Sequence, residues 1–451
     1  MFSWDSGIPN THHGHESPER HNWAPGHQST RKDPRLEARS ASFDPSTQQF
    51  DLFQDVIDDP YPAFRALRQR DPVHKGVRGF YYLSRYQDVR RALADHERLG
   101  RRGFLPLYRQ NMGDGPLFHM TRQEFFLLDP PEHTRIRNAT RPYFNHERIG
   151  ALGGRIQQIV DDLLDDVQRV GGYEWDLIKG LASPLPFIVV CDVLGIPPVD
   201  RNSIRAWTLD ILPAMDPQLT PELLSQGNRA TADFDSYLDV LIAQRRREPQ
   251  DDLVSALLHQ QRKDPSAISN DEIRALCIIM IIAGYETPWG LIGNVMLALL
   301  RHLDQMTLLV DEPALVDAVV QEGLRYDSPS QWAPRVAYKD LTTPSGATIP
   351  AGAFVAVLLA SANRDETIFA DADRFNVRRY ANSGTAPRPV SFGLGARYCL
   401  GAGLARLEAQ VALCTLLRRM PSLRLACEPS QLQWRPGSFV RNLVSLLVVV
   451  Q

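Results

Sequence analysis

The chain has 451 residues, 43% of them hydrophobic, with 50 lysines and arginines against 53 aspartates and glutamates and a formal net charge of -3. That near balance gives no electrostatic footprint for nucleic acid or an anionic membrane, and the length leaves ample chain to bury a core around a large cofactor. Cys191, Cys277, Cys399, Cys414 and Cys427 are an odd, scattered set without CxxC spacing, which argues against a disulfide framework and for a reducing, cytoplasmic setting.

Residues 1–45 are polar, rich in His, Pro, Ser and Arg, and aperiodic, which predicts a disordered tail ahead of one globular domain over 46–451. His12, His13 and His15 in that tail have no second ligand cluster, so solvation outweighs metal binding. The domain opens with an amphipathic helix over 61–70, a strand over 80–83 and a helix over 86–96. The stretch 100–120, with Gly103, Gly113, Gly115 and Pro116, reads as a long loop, and long loops in compact domains often bind ligands or act as lids. Helical periodicity dominates 131–326, with breaks expected at Gly171-Gly172, Pro197-Pro198 and Asp216-Pro217. Strands follow over 335–338, 348–350 and 354–359, and a final one over 443–450. The fold class is therefore mainly α with a smaller β region. No run reaches the roughly 18 uninterrupted apolar residues of a membrane span, 276–283 being the most apolar, and the start of the chain has no signal-peptide pattern. A soluble protein is expected.

Four stretches carry residue types that point to chemistry. In Asp129-Pro-Pro-Glu-His133-Thr-Arg-Ile-Arg137, the prolines mark a helix start and put His133 and Arg137 one turn apart on one face. Two such donors can clamp a carboxylate; read alone, they fit a solvated basic face equally well. In Ala283-Gly284-Tyr285-Glu286-Thr287-Pro288, the proline supplies no N–H, so the Gly284 carbonyl loses its helical partner and Thr287 can place a hydroxyl beside the opened turn. On those residues alone, a catalytic groove and an incidental kink stand even. Glu322 and Arg325 form an i,i+3 pair of the kind that, on a surface, contributes less than about 1 kcal/mol. In Phe392-Gly-Leu-Gly-Ala-Arg-Tyr-Cys399-Leu-Gly401, glycines permit a tight turn close to a flat ligand. A helix starts just after it, and its N-terminal end favours a thiolate at Cys399.

This last stretch resembles the haem-binding loop of the cytochrome P450 family, Phe-Gly-x-Gly-x-x-x-Cys-x-Gly, matched at all five fixed positions, Phe392, Gly393, Gly395, Cys399 and Gly401. The resemblance runs from about residue 50 onward and takes in the other three stretches in the expected order. It implies a P450 fold around a buried haem b, with Cys399 as the iron ligand and Phe392, Gly393 and Gly401 shaping its loop. By the same resemblance His133, Arg137, Arg335 and Arg397 hold the propionates. Gly284, Glu286 and Thr287 form the oxygen groove and its proton relay, although Pro288 departs from the commoner second threonine. Glu322, Arg325 and Arg379 form a structural network that fixes the cysteine loop. Residues 361–365 resemble Ala-Asn-Arg-Asp-Pro, with Glu366 in place of the proline.

The implied function is a haem-thiolate monooxygenase that inserts one oxygen atom of O2 into an apolar small molecule. NAD(P)H contributes indirectly, through a separate ferredoxin or flavodoxin and its reductase, with Arg406, Arg418 and Arg419 as docking candidates. Met112, Phe118 and Trp332 are candidate substrate contacts, each equally readable as core. Terpenoid, fatty acyl, polyketide and peptide substrates are all compatible. A peroxide-driven haem oxygenase and a non-catalytic carrier-protein recruitment module are the alternatives; the Glu286–Thr287 pair weighs against the first, and the intact Cys399 together with that pair against the second.

Overall fold

A computed structural model describes residues 50–450, apart from 53–58, 171–172, 216–218, 383, 385, 436 and 438. The expected tail at 1–45 with its histidines, and the breaks at 171–172 and 216–217, lie outside the described residues.

The helix Asn270–Arg301 organises the fold. It begins on a capping box: the Glu272 N–H donates to the Ser269 hydroxyl at 3.2 Å, and the Ser269 N–H donates to the Glu272 carboxylate at 2.8 Å. Beyond its first turns it is apolar on all sides, which a helix tolerates only when surrounded. The helices Pro184–Leu194, Val316–Tyr326 and Ala402–Arg419 pack around it. By length and composition it could cross a membrane, but 72% of its apolar window is buried inside the protein, as befits a core helix.

The helix also corrects an expectation. It runs unbroken through Pro288 rather than being interrupted there. The C-terminal segment supports it at that point: Asn442 donates to the Glu286 carbonyl at 3.1 Å, and Asn294 donates to the Arg441 carbonyl at 3.1 Å. Gly290 allows this approach, because a Cβ there would sit 2.2 Å from Asn442 Oδ1.

A five-stranded sheet lies to one side, in the order Val73–Lys75, Tyr81–Leu83, Phe354–Val357, Ala333–Ala337, Leu99–Gly100. Its one parallel pairing joins Tyr81–Leu83 to Phe354–Val357. The final strand is Leu447–Val450, shorter than expected; Leu443 makes only an isolated bridge with Trp434.

The expected long loop at 100–120 is instead two short helices, Leu105–Met112 and Pro116–Thr121. Its prolines occupy first turns, where a missing N–H costs nothing, and Gly113, at φ +69°, ends the first helix. The second helix is tied to Pro221–Arg247: the Leu117 N–H donates to Asn228 Oδ1 at 3.0 Å, over a Gly115 whose Cβ would collide with that same side chain.

Candidate active site

The cysteine loop is built as its glycines suggest. Gly393 and Gly395 take φ of +70° and +69°, a region that penalises any side chain, and the Cys399 N–H closes the turn on the Phe392 carbonyl at 2.8 Å. The helix Ala402–Arg419 follows at once. Cys399 is reachable from solvent while protein atoms crowd around it. Burial raises its thiol above the ordinary range, outweighing the Gly401 N–H, Arg137 and Arg406, which all favour the thiolate. The expected bias of the free cysteine toward thiolate is thus reversed. A metal ion has to displace the proton, as thiolate ligation generally requires. Cys191 and Cys277, by contrast, are buried small hydrophobes whose thiols are pushed up to about 12 by burial.

Beside this loop the protein gathers like charges. Arg335 is 2% exposed, and its guanidinium is pushed down to about 9 by burial and by Arg397. Burial, Arg335 and Arg397 likewise lower Arg101, a residue with no motif to announce it. His133 is buried, stacked on Phe125 with 5.9 Å between ring centroids, and its Nδ1 has no hydrogen-bond partner. Its pKa is pushed down to about 3, first by burial and then by Arg397, Arg137 and Arg101. Arg137 donates to the Tyr398 carbonyl at 2.7 Å, beside the cysteine. Among the described residues, Arg101 and Arg335 make no ion pair, and Asp129 is paired with Arg397. Buried like charges and an orphaned imidazole are costly unless an anion completes them. A soft thiol flanked by such donors therefore fits haem, with Cys399 holding the iron and the arginines and His133 meeting its two carboxylates.

The loop is carried by a buried ion pair. Glu322 and Arg325 are both 0% exposed and meet in a bidentate pair at 2.7 and 2.8 Å. Arg379 Nε lies 3.0 Å from the same carboxylate. Arg325 also donates to the carbonyls of Asn363, Ala372 and Arg374. Asn363 passes the constraint on, accepting the Val390 N–H at 2.7 Å and donating to the Ser391 hydroxyl at 2.7 Å, one residue before Phe392. Glu366, which stands where the family has proline, pairs with the buried Arg68.

On the central helix, the Thr287 hydroxyl donates to the Ala283 carbonyl at 2.7 Å. Gly284 has a packing role, since a Cβ there would lie 3.1 Å from Val190 Cγ2. Glu286 is held by Arg435 at 2.5 Å, and that guanidinium also lies over the Trp289 ring. Burial raises the Glu286 carboxyl, and Arg435 opposes the rise. Sequence reasoning missed Arg435 altogether.

Of the three candidate substrate contacts, Met112 and Phe118 are buried on the two short helices. Trp332 packs in the core with Phe50, Phe64 and Tyr82, and against Phe439. Among the docking arginines, Arg419 is already taken by Asp161 and Asp165, and Arg406 leans over Phe392 beside the loop; Arg418 is exposed.

The comparisons agree with this geometry. The family model described as Cytochrome P450 matches residues 72–423. The chain is 38% identical over 412 residues to the vitamin D(3) 25-hydroxylase of Pseudonocardia autotrophica, covering 90% of this chain and 97% of that protein. It is 36% identical to the cytochrome P450 monooxygenase PikC of Streptomyces venezuelae, covering 88% and 92%. Among solved structures, CalO2 superposes with a TM-score of 0.83 at 33% identity, covering 89% of this chain and 99% of the other. P450BioI, solved in complex with a hexadec-9Z-enoic acid ligated acyl carrier protein, gives 0.79 at 34%, covering 87% and 98%. A haem-thiolate oxidoreductase is the class that fold and site define. The chain belongs to the cytochrome P450 family and is a monooxygenase of the bacterial type.

Proposed function

We propose that the protein inserts one oxygen atom from O2 into an apolar carbon of a secondary metabolite or its precursor, by hydroxylation or epoxidation. One molecule of O2, two electrons and two protons give the oxygenated product and water. Electrons come from NAD(P)H through a ferredoxin or flavodoxin and its reductase, in the cytoplasm, a setting that suits five free cysteines. The observation that carries the reading is Cys399 in its glycine loop beside a buried cation cluster that a single carboxylate, Asp129, only partly neutralises.

Bound in this site, haem supplies O2 binding and reductive O–O cleavage, with the thiolate donating electron density. The chain supplies the rest. Arg335, Arg397, Arg101, His133 and Arg137 orient the cofactor through its carboxylates. Thr287 holds a hydroxyl proton on the unbroken central helix, where it donates to the Ala283 carbonyl. Glu286 is the titratable group next to it and feeds that hydroxyl, with Arg435 limiting how long the carboxyl stays protonated. A peroxide-driven enzyme has no use for this pair. Arg406 presents positive charge beside the cysteine, and Arg418 stands exposed at the far end of the same helix, for an acidic electron carrier.

Relatives named for vitamin D(3) and for polyketide biosynthesis, and a neighbour solved with an acyl carrier protein, support an apolar substrate, free or carrier-bound. The test is a Soret-shift screen of the haem-loaded protein with sterol, macrolide, fatty acid and acyl-carrier panels, followed by turnover with a surrogate ferredoxin and reductase. One class should shift the Soret band and yield an alcohol or an epoxide, either of them about 16 mass units heavier than the substrate. NAD(P)H-independent product formation with hydrogen peroxide alone would contradict the O2 route.

A further inference from the structure

The arginines around the cofactor site repel one another, so something in the protein must hold them in place before an anion arrives. We propose that Asp129 and Tyr338 are positioning residues that preorganise Arg397 and the 101–102 backbone for the carboxylates of the cofactor. The inference rests on the haem reading of the site and adds to it two residues outside the cysteine loop.

Asp129 collects four donors from three other segments of the chain. The Arg101 N–H reaches its two oxygens at 3.0 and 3.2 Å, and the Arg102 N–H donates at 3.0 Å. The Tyr338 hydroxyl and the Arg397 guanidinium complete the set. A carboxylate offers about four lone-pair sites, so this one is saturated and has one orientation. The direction of the Tyr338 proton is also determined: its oxygen accepts the Gly103 N–H at 3.1 Å, which leaves the hydroxyl proton for Asp129. The fit depends on a bare backbone at Gly100, where a Cβ would stand 2.2 Å from the Tyr338 ring and 2.5 Å from Asp129 Oδ2.

Arg397 is fixed from the same side. Its other acceptors are the Leu128 carbonyl at 2.6 Å and the Phe126 carbonyl at 3.3 Å, and the Arg101 side chain donates to that same Phe126 carbonyl at 3.3 Å. One carboxylate thus serves a cluster containing Arg101, Arg335, Arg397 and Arg137. It restrains the cluster geometrically while leaving most of its positive charge for the cofactor. Tyr338 is 41% exposed, so the surface end of this arrangement can be altered without opening the core.

The experiment uses full-length, haem-loaded wild type, Asp129→Asn and Tyr338→Phe. Haem transfer to excess apomyoglobin, the reduction potential and the carbon monoxide spectrum of the reduced form are measured on each. All three should show the thiolate-type carbon monoxide band. Asp129→Asn should release haem about 10–100-fold faster, the usual effect of losing an outer partner of a liganding group. Its potential should rise, because a negative charge is gone. Tyr338→Phe should speed release by a smaller factor with little change in potential, since it removes a hydrogen bond and no charge. A purely structural Asp129 would lower the unfolding temperature and leave the potential alone. Should Asp129→Asn not fold, Tyr338→Phe carries the test. Release rates within twofold of wild type in every folded variant overturn the proposal. A wild type without the thiolate band overturns the haem reading beneath it, and the proposal with it.

Discussion

At the scale of the residue, the chemistry depends on groups whose ionisation the fold has moved. His133 is buried and neutral, with its pKa near 3 against about 6.5 in an unfolded chain. The unfolded chain therefore binds a proton here that the folded chain refuses. The stabilising contribution is complete above pH 6.5 and falls away as pH drops toward 3. Chemical denaturation of the cofactor-free protein should show stability declining between pH 7 and 5, and His133→Gln should flatten the decline. Haem should moderate it, because burial is the main cause and carboxylates relieve only the arginines that add to it. Arg435 acts in the opposite sense on Glu286, whose carboxyl it holds down against burial. Arg435→Ala should raise Glu286 further, so that product formed per NAD(P)H persists to higher pH than in wild type. An unmoved profile would mean that some other group titrates. Cys399, Glu286 and Thr287 are legible in the sequence because their chemistry needs neighbours on the same short stretch. Arg435 is not, since it meets Glu286 from 149 positions away and only folding brings them together.

At the scale of the element, the helix Val316–Tyr326 and the cysteine loop are one mechanical unit. Arg325 spends its donors on Glu322 and on carbonyls at 363, 372 and 374, and Asn363 grips Val390 and Ser391. Arg325→Ala strips the buried Glu322 carboxylate of its bidentate partner and leaves it only Arg379 and the Asn376 N–H, at a cost of about 3–5 kcal/mol. Expression should yield misfolded or haem-free protein, and normal haem incorporation at wild-type melting temperature would contradict the network's role. The central helix makes a second case. Thr287→Ala removes a hydroxyl bonded to the Ala283 carbonyl on a helix clamped by Asn442, so the fold should survive. Haem and substrate should still bind, while more of the NAD(P)H consumed appears as peroxide; unchanged coupling would remove Thr287 from the relay. The Glu-x-x-Arg pair was visible as spacing, but its burial was not, because a surface pair and a buried one are written identically. The 100–120 stretch misled for a related reason. Glycine and proline mark both long loops and the ends of short helices, and here Pro106 and Pro116 sit in first turns.

At the scale of the whole molecule, the cation cluster draws residues from the segment after the edge strand Leu99–Gly100, the helix Glu132–Thr140, the strand Ala333–Ala337 and the cysteine loop. The order of the motifs along the chain announced this arrangement, and the match over 72–423 agrees with it. Tertiary packing decided what the motifs could not. It packed Trp332 in the core, bound Arg419 to Asp161 and Asp165, and recruited Arg101 to the cation cluster. The central claim is that all of this serves one bond, from Cys399 to haem iron. The most direct test is the carbon monoxide difference spectrum of the dithionite-reduced, haem-loaded protein, recorded for wild type and for Cys399→Ala. The wild type should show the strongly red-shifted Soret band of thiolate ligation, and Cys399→Ala should lack it. A band that survives in Cys399→Ala, or that disappears instead on changing Cys414 or Cys427, would contradict the account.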